Sequence, residues 1–156
     1  MIGKHPSGSG SVITYNLEGA PSVRIGSDGK SDGYMNVKRK SGKNALFVGV
    51  GDDGNNVIVS SNSKGNPSIV AGVNDDDNGY LKTINNQNNS SIIISSKKDG
   101  SGYLSTFNNS GKRSSFISSD RNGNGMIGLY DKDQKLQYSQ TGIKPVINEI
   151  PEDKKK

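Results

Sequence analysis

The sequence predicts an all-β fold: an elongated, repetitive β-structure built from 23-residue units with two short strands each. Three observations lead there. Cut from Val23 in blocks of 23, the chain reads VRIGSDGKSDGYMNVKRKSGKNA, LFVGVGDDGNNVIVSSNSKGNPS, IVAGVNDDDNGYLKTINNQNNSS, IIISSKKDGSGYLSTFNNSGKRS and SFISSDRNGNGMIGLYDKDQKLQ, with no insertion or deletion. Apolar residues within a unit are spaced by two and enriched in β-branched types, the pattern of strands. No stretch carries the 3.6-residue period of a helix, and the Gly, Asn and β-branched content disfavours one.

Taken in order, residues 1–9 (MIGKHPSGS) read as a flexible lead-in. Residues 10–142 are the repeat shaft, opening on a half unit (GSVITYNLEGAPS) and fading through YSQTG. In a full unit, one strand is expected over residues 92–96 and the other over 103–107. Residues 143–156 (IKPVINEIPEDKKK) leave the repeat. There Pro145 and Pro151 suit an extended strap, Val146, Ile147 and Ile150 could anchor it, and the basic tail should be solvated.

The columns of the repeat have physical meaning. Val12, Met35, Ile58, Leu81, Leu104 and Ile127 form a wholly apolar column. Ile25, Val48, Ala71, Ile94 and Ile117 form a second that fails only at Gln140. Val23, Leu46, Ile69 and Ile92 form a third column, two residues ahead of the second, and Ser115 and Tyr138 break this third column. Gly19, Gly42, Gly65, Asn88, Gly111 and Gln134 form a column expected at tight turns, because Gly and Asn tolerate positive φ. The column Gly10, Gly33, Asn56, Gly79, Gly102 and Gly125 is expected at turns for the same reason.

Composition bounds what these strands can build. Leu, Ile, Val and Phe are 33 of 156 residues, and Trp is absent. That is close to the range in which chains stay disordered, but disorder gives no reason to keep an apolar residue every 23 positions. Only three or four side chains per unit face inward, so a lone meander would leave a whole face wet and would be marginal. Closed association would let three copies pool their stripes into one dry core and protect their edges. The expected assembly is therefore a homotrimeric β-helix or β-prism fibre, with a single-chain β-solenoid as the alternative.

A resemblance adds to this. The run GYLSTFNNSG (residues 102–111), followed by an apolar strand and the turn DRNGNG (residues 120–125), resembles the repeats in shafts of phage tail fibres and related trimeric β-structured spikes, and is similar to repeat stalks of bacterial surface fibres. It covers about residues 10–142. It implies trimerisation, rigidity and resistance to unfolding, and it carries over no catalytic residue.

Several chemistries find no support in the sequence. Cysteine is absent, which removes disulfides, zinc thiolates and thiol nucleophiles. The net charge of +5 is dispersed, and neither VKRK (37–40) nor DKKK (153–156) is interleaved with aromatics, so no nucleic-acid partner is expected. No apolar run approaches membrane-spanning length, and no signal-peptide h-region is seen. His5 is the one histidine, which leaves no histidine-based triad. The carboxylates of Asp52, Asp53, Asp75, Asp76 and Asp77 fall in expected exposed turns, with nothing apolar to raise a pKa. GSDGKSDG (26–33) lacks the ending and following helix of a phosphate loop.

One stretch imitates a metal site. DRNGNGMIGLYD, residues 120–131, places Asp120, Asn122, Asn124 and Asp131 at calcium-loop spacing. Its Gly125 and Ile127, however, recur in every unit as turn and core positions, and Lys97 holds the first ligand position one unit earlier. A turn that mimics a calcium loop is the favoured reading; no cofactor is expected, and any calcium would bind at those four residues or at 75–77. The tyrosine columns (Tyr34, Tyr80, Tyr103; and Tyr15 with Tyr130) read first as stabilising cross-strand ladders and second as a sugar-stacking surface. The function expected is a non-enzymatic structural shaft on a virion or a related extracellular or cell-surface assembly. Its partners would be itself, other fibre or baseplate proteins, or surface glycans. The alternative is a monomeric solenoid adhesin or a carbohydrate-, ice- or calcium-binding module.

Overall fold

The computed structural model describes residues 2–4 and 10–142. They form one open sheet of thirteen strands that follow each other in chain order. These are β1 (Ile2–Lys4), β2 (Gly10–Tyr15), β3 (Pro21–Ser27), β4 (Gly33–Lys38), β5 (Asn44–Val50), β6 (Asn56–Ser61), β7 (Pro67–Val73), β8 (Gly79–Ile84), β9 (Ser90–Ser96), β10 (Gly102–Phe107), β11 (Arg113–Ser119), β12 (Gly125–Tyr130) and β13 (Leu136–Thr141). Each unit supplies a seven-residue and a six-residue strand, as the spacing-two pattern predicts. Residues 2–4, inside the segment expected to be a flexible lead-in, pair with β2. His5 and the expected strap at 143–156 lie outside the described residues.

All pairings are antiparallel between chain neighbours. Like positions of successive units therefore lie two strands apart. In a coil they would stack on adjacent strands, so the chain is a meander and not the single-chain solenoid held as the alternative. No described strand touches any strand other than its neighbours in sequence. The sheet thus has one layer, and both faces meet solvent. The accessible surface of 11222 Å² exceeds the roughly 7,600 Å² expected of a compact chain of this mass.

The turns explain the period. Each of the eleven turns between β2 and β13 is a three-residue loop closed by two backbone bonds, as in residues 120–124, where Asp120 N–H donates to Asn124 O (2.8 Å) and Gly123 N–H to Asp120 O (3.1 Å). This is a type I turn followed by a left-handed residue. At one edge of the sheet that residue is Gly19, Gly42, Gly65, Asn88, Gly111 or Gln134, all with positive φ, and the column expected there is confirmed. At the other edge it is Ser31, Gly54, Asp77, Gly100 or Gly123. The column Gly33, Asn56, Gly79, Gly102 and Gly125 is therefore not the positive-φ position: each opens a strand two residues later. Asn56 reaches this place without strain because it needs only extended backbone.

The two edges differ in a second way. Register shifts occur at Thr14/Tyr15, Val37/Lys38, Ser60/Ser61, Thr83/Ile84, Thr106/Phe107 and Leu129/Tyr130, all at the first edge. The extra residue is short where it can be: Ser22, Ala45, Ser68, Ser91 and Ser114. Two of these serines bond across the bulge, Ser22 Oγ to Thr14 Oγ1 at 2.9 Å and Ser114 Oγ to Thr106 Oγ1 at 2.8 Å. Bulges sharpen local twist, so this edge is wound more tightly than its opposite.

Candidate functional site

The strand register assembles the two apolar columns into one ladder. Val12 faces Ile25, Ile25 faces Met35, Met35 faces Val48, and the pairing continues through Ile58, Ala71, Leu81, Ile94, Leu104 and Ile117 to Ile127, where Gln140 ends it. Because side chains alternate across a strand, all of these share one face, here called the apolar face. A second ladder on that face includes Val23, Val37, Leu46, Ile69, Ile92 and Leu129. The spacing-two pattern foretold this stripe. What differs from expectation is its environment: nothing in the described chain covers it. No large hydrophobic side chain is buried, and Ile117 is 51%, Ile25 48% and Ile94 43% exposed.

The opposite face is clothed by its own side chains. Its ladders alternate large and small residues, as in Tyr34 against Gly49, Gly72 against Tyr80, and Phe116 against Gly128. Rings lie over Gly49 and Gly128. A Cβ at Gly49 would meet Tyr34 Cβ at 2.8 Å and Phe47 Cζ at 2.9 Å, and one at Gly128 would collide with the Phe116 ring. Tyr34 stacks near Phe47 at 6.3 Å, and Phe116 tilts against Tyr130 at 5.9 Å. The tyrosines of one column are therefore not direct neighbours: Tyr80 and Tyr103 both flank Ser95. Among the described residues the buried polar ones are Ser61, Ser95 and Ser105, all on this face.

The turns hold their own polar groups. In eight of the eleven turns the first residue is Asn or Asp, whose side-chain oxygen accepts two amides of the loop. Asp120 Oδ1 accepts from the N–H groups of Asn122 (2.9 Å) and Asn124 (2.8 Å), and Oδ2 accepts from Asn124 Nδ2 (3.1 Å). The Asn124 side chain first, and its backbone N–H next, hold the Asp120 carboxyl below the usual range. Ser101 does the same for Asp99, through its hydroxyl and then its N–H. Asp131 heads the next turn, its Oδ1 occupied by the amides of Asp133 and Lys135 and its Oδ2 by Gln137 Nε2. The whole of β12 separates it from Asp120, about 20 Å of extended chain. The four residues at calcium-loop spacing therefore do not converge: three share one turn, and Asp131 lies at the other edge. Among the described residues no group of three His, Cys, Asp or Glu is placed to hold a metal.

Neighbouring turns at each edge are stitched to each other. Lys30 Nζ donates to Asp52 O (3.4 Å), Arg39 to Ser61 O (2.6 Å), Lys97 Nζ to Ser119 O (2.8 Å) and Lys112 Nζ to Lys132 O (3.1 Å). The dispersed positive charge thus caps carbonyls of the following unit. No protein-family model matches the chain, and no curated protein shows significant similarity to it.

Proposed function

We propose that the chain is a non-catalytic structural element, the shaft of a fibrous homo-oligomer, in which copies cover each other's apolar faces. The observation that supports this is the uninterrupted apolar ladder from Val12 to Ile127 on a face that no described residue covers. Monomeric proteins rarely leave so large an apolar patch in water. Twelve strands at about 4.8 Å spacing and about 20 Å of strand length give a face of roughly 1,100 Å². Two such faces together would remove about 2,200 Å², the size of an obligate interface.

Twist supports copies of the chain itself as the occupant. At about 20–25° per strand, the ladder turns by roughly 250° from β2 to β13. A flat partner would touch only a few strands. A partner with the same twist stays in register throughout, so copies wound about a common axis suit this face. Three copies, which pool three stripes into one core, remain the favoured number. The resemblance to phage-fibre shafts supplies the setting, a virion or related extracellular assembly.

Light scattering on the purified chain tests this. The expected mass is three times 16.5 kDa; a monomer at micromolar concentration would sink the reading.

A further inference from the structure

A different place carries a binding site. On the clothed face, a groove of about 360 Å³ runs along β10 and β11. Arg113 stands at one end and Lys97 at the other, with the rings of Tyr103, Phe116 and Tyr130 between them. No acidic side chain lines it. Its floor is Ser105, which is 1% exposed and whose Oγ has no hydrogen-bond partner. A buried unpaired hydroxyl is destabilising, so this atom calls for a partner that the sheet does not supply.

The repeat shows that the groove is peculiar to this place. Ser105 occupies a column that holds Ile13, Asn36, Val59 and Lys82 in earlier units. A longer side chain there would fill the floor. Phe116 stands where those units have Arg24, Phe47, Val70 and Ile93, and Arg113 where they have Pro21, Asn44, Pro67 and Ser90. Only here do a shortened floor, two rings 5.9 Å apart and a guanidinium meet. Lys97 is engaged with Ser119 O, while among the described residues the Arg113 guanidinium has no ion pair.

We propose that this groove binds an anionic sugar, a pyranose carrying a carboxylate or sulfate. The C–H face of the ring would lie on Phe116 and Tyr130, the Ser105 and tyrosine hydroxyls would exchange hydrogen bonds with sugar hydroxyls, and the Arg113 fork would take the acidic group. A single-stranded nucleic acid also offers stacking faces and charge. It needs a cationic track along several units, and the Arg113 column provides none. The groove faces away from the apolar ladder, so the site stands whether or not the chain assembles.

Calorimetric titration of the full chain at physiological ionic strength decides it, with oligogalacturonate as probe and neutral galacto-oligosaccharide and single-stranded DNA as comparisons. The expected result is saturable binding of oligogalacturonate, weakened at least tenfold by Arg113→Ala. Ser105→Val fills the floor and removes the unpaired hydroxyl, so it should abolish binding while the melting temperature stays level or rises. No binding of the acidic oligomer, equal binding by both variants, or preference for the neutral sugar or DNA overturns the proposal.

Discussion

Single residues set the turns, and two of them make sharp predictions. Ser31 holds a left-handed conformation, φ 73°, where the same edge elsewhere uses Gly54, Gly100 and Gly123. A side chain there costs about 1–2 kcal/mol, part of which glycine forfeits in chain entropy. Ser31→Gly should therefore raise stability by roughly 0.5–1 kcal/mol in chemical denaturation. Gln134 is equally left-handed, but its side chain bridges the N–H and C=O of Arg113 at 3.1 and 2.8 Å, so the same exchange there brings no gain. Asp120 is the second case. Its folded pKa is depressed, so its contribution is full above the unfolded value near 3.9 and is lost as pH falls through the folded value. Asn74 and Asn85 make the same cap without charge. Asp120→Asn should thus match the parent at neutral pH and melt higher than it in the most acidic buffers. Equal acid sensitivity of the two would refute this account.

At the scale of strands and turns, much was legible. The spacing-two columns named both strands of each unit, and the Gly19 column located one row of turns. The other row was misplaced by two residues. Gly33, Gly102 and Gly125 advertise positive φ, yet the left-handed residue lies two positions earlier and in two of the five turns is Ser31 or Asp77, which composition does not flag. The calcium-like spacing of Asp120 with Asp131 does not bring the two residues together, because the whole of β12 runs between them. The groove at Ser105 escaped notice because its signal is a missing side chain, visible only when ladders are aligned across strands. The ladder itself yields a prediction: Leu81→Lys, at its centre between Ala71 and Ile94, should split the assembly into monomers while the far-ultraviolet β spectrum persists. Loss of that spectrum would mean that Leu81 holds the strands together within one chain.

For the whole molecule, contacts restricted to chain neighbours make stability a sum of unit and interface contributions. Removing one complete unit, residues 46–68, rejoins Ala45 to Ile69 and restores the phase of both ladders. The shortened chain should keep its β spectrum and its oligomeric number and lose only part of its stability. The number of copies was not legible in the sequence, because association would depend on a face that no described residue covers.

The meander also decides how such a sheet meets tension. Force applied along the long axis of the sheet acts in line with the inter-strand hydrogen bonds and falls first on an outermost strand. Strands would leave one after another, like a zip, and each 23-residue unit released would lengthen the tether by roughly 75 Å. A sheet of this design should give way in small regular steps. Optical-trap extension of a single chain should show evenly spaced low-force steps; one abrupt high-force rupture would contradict it.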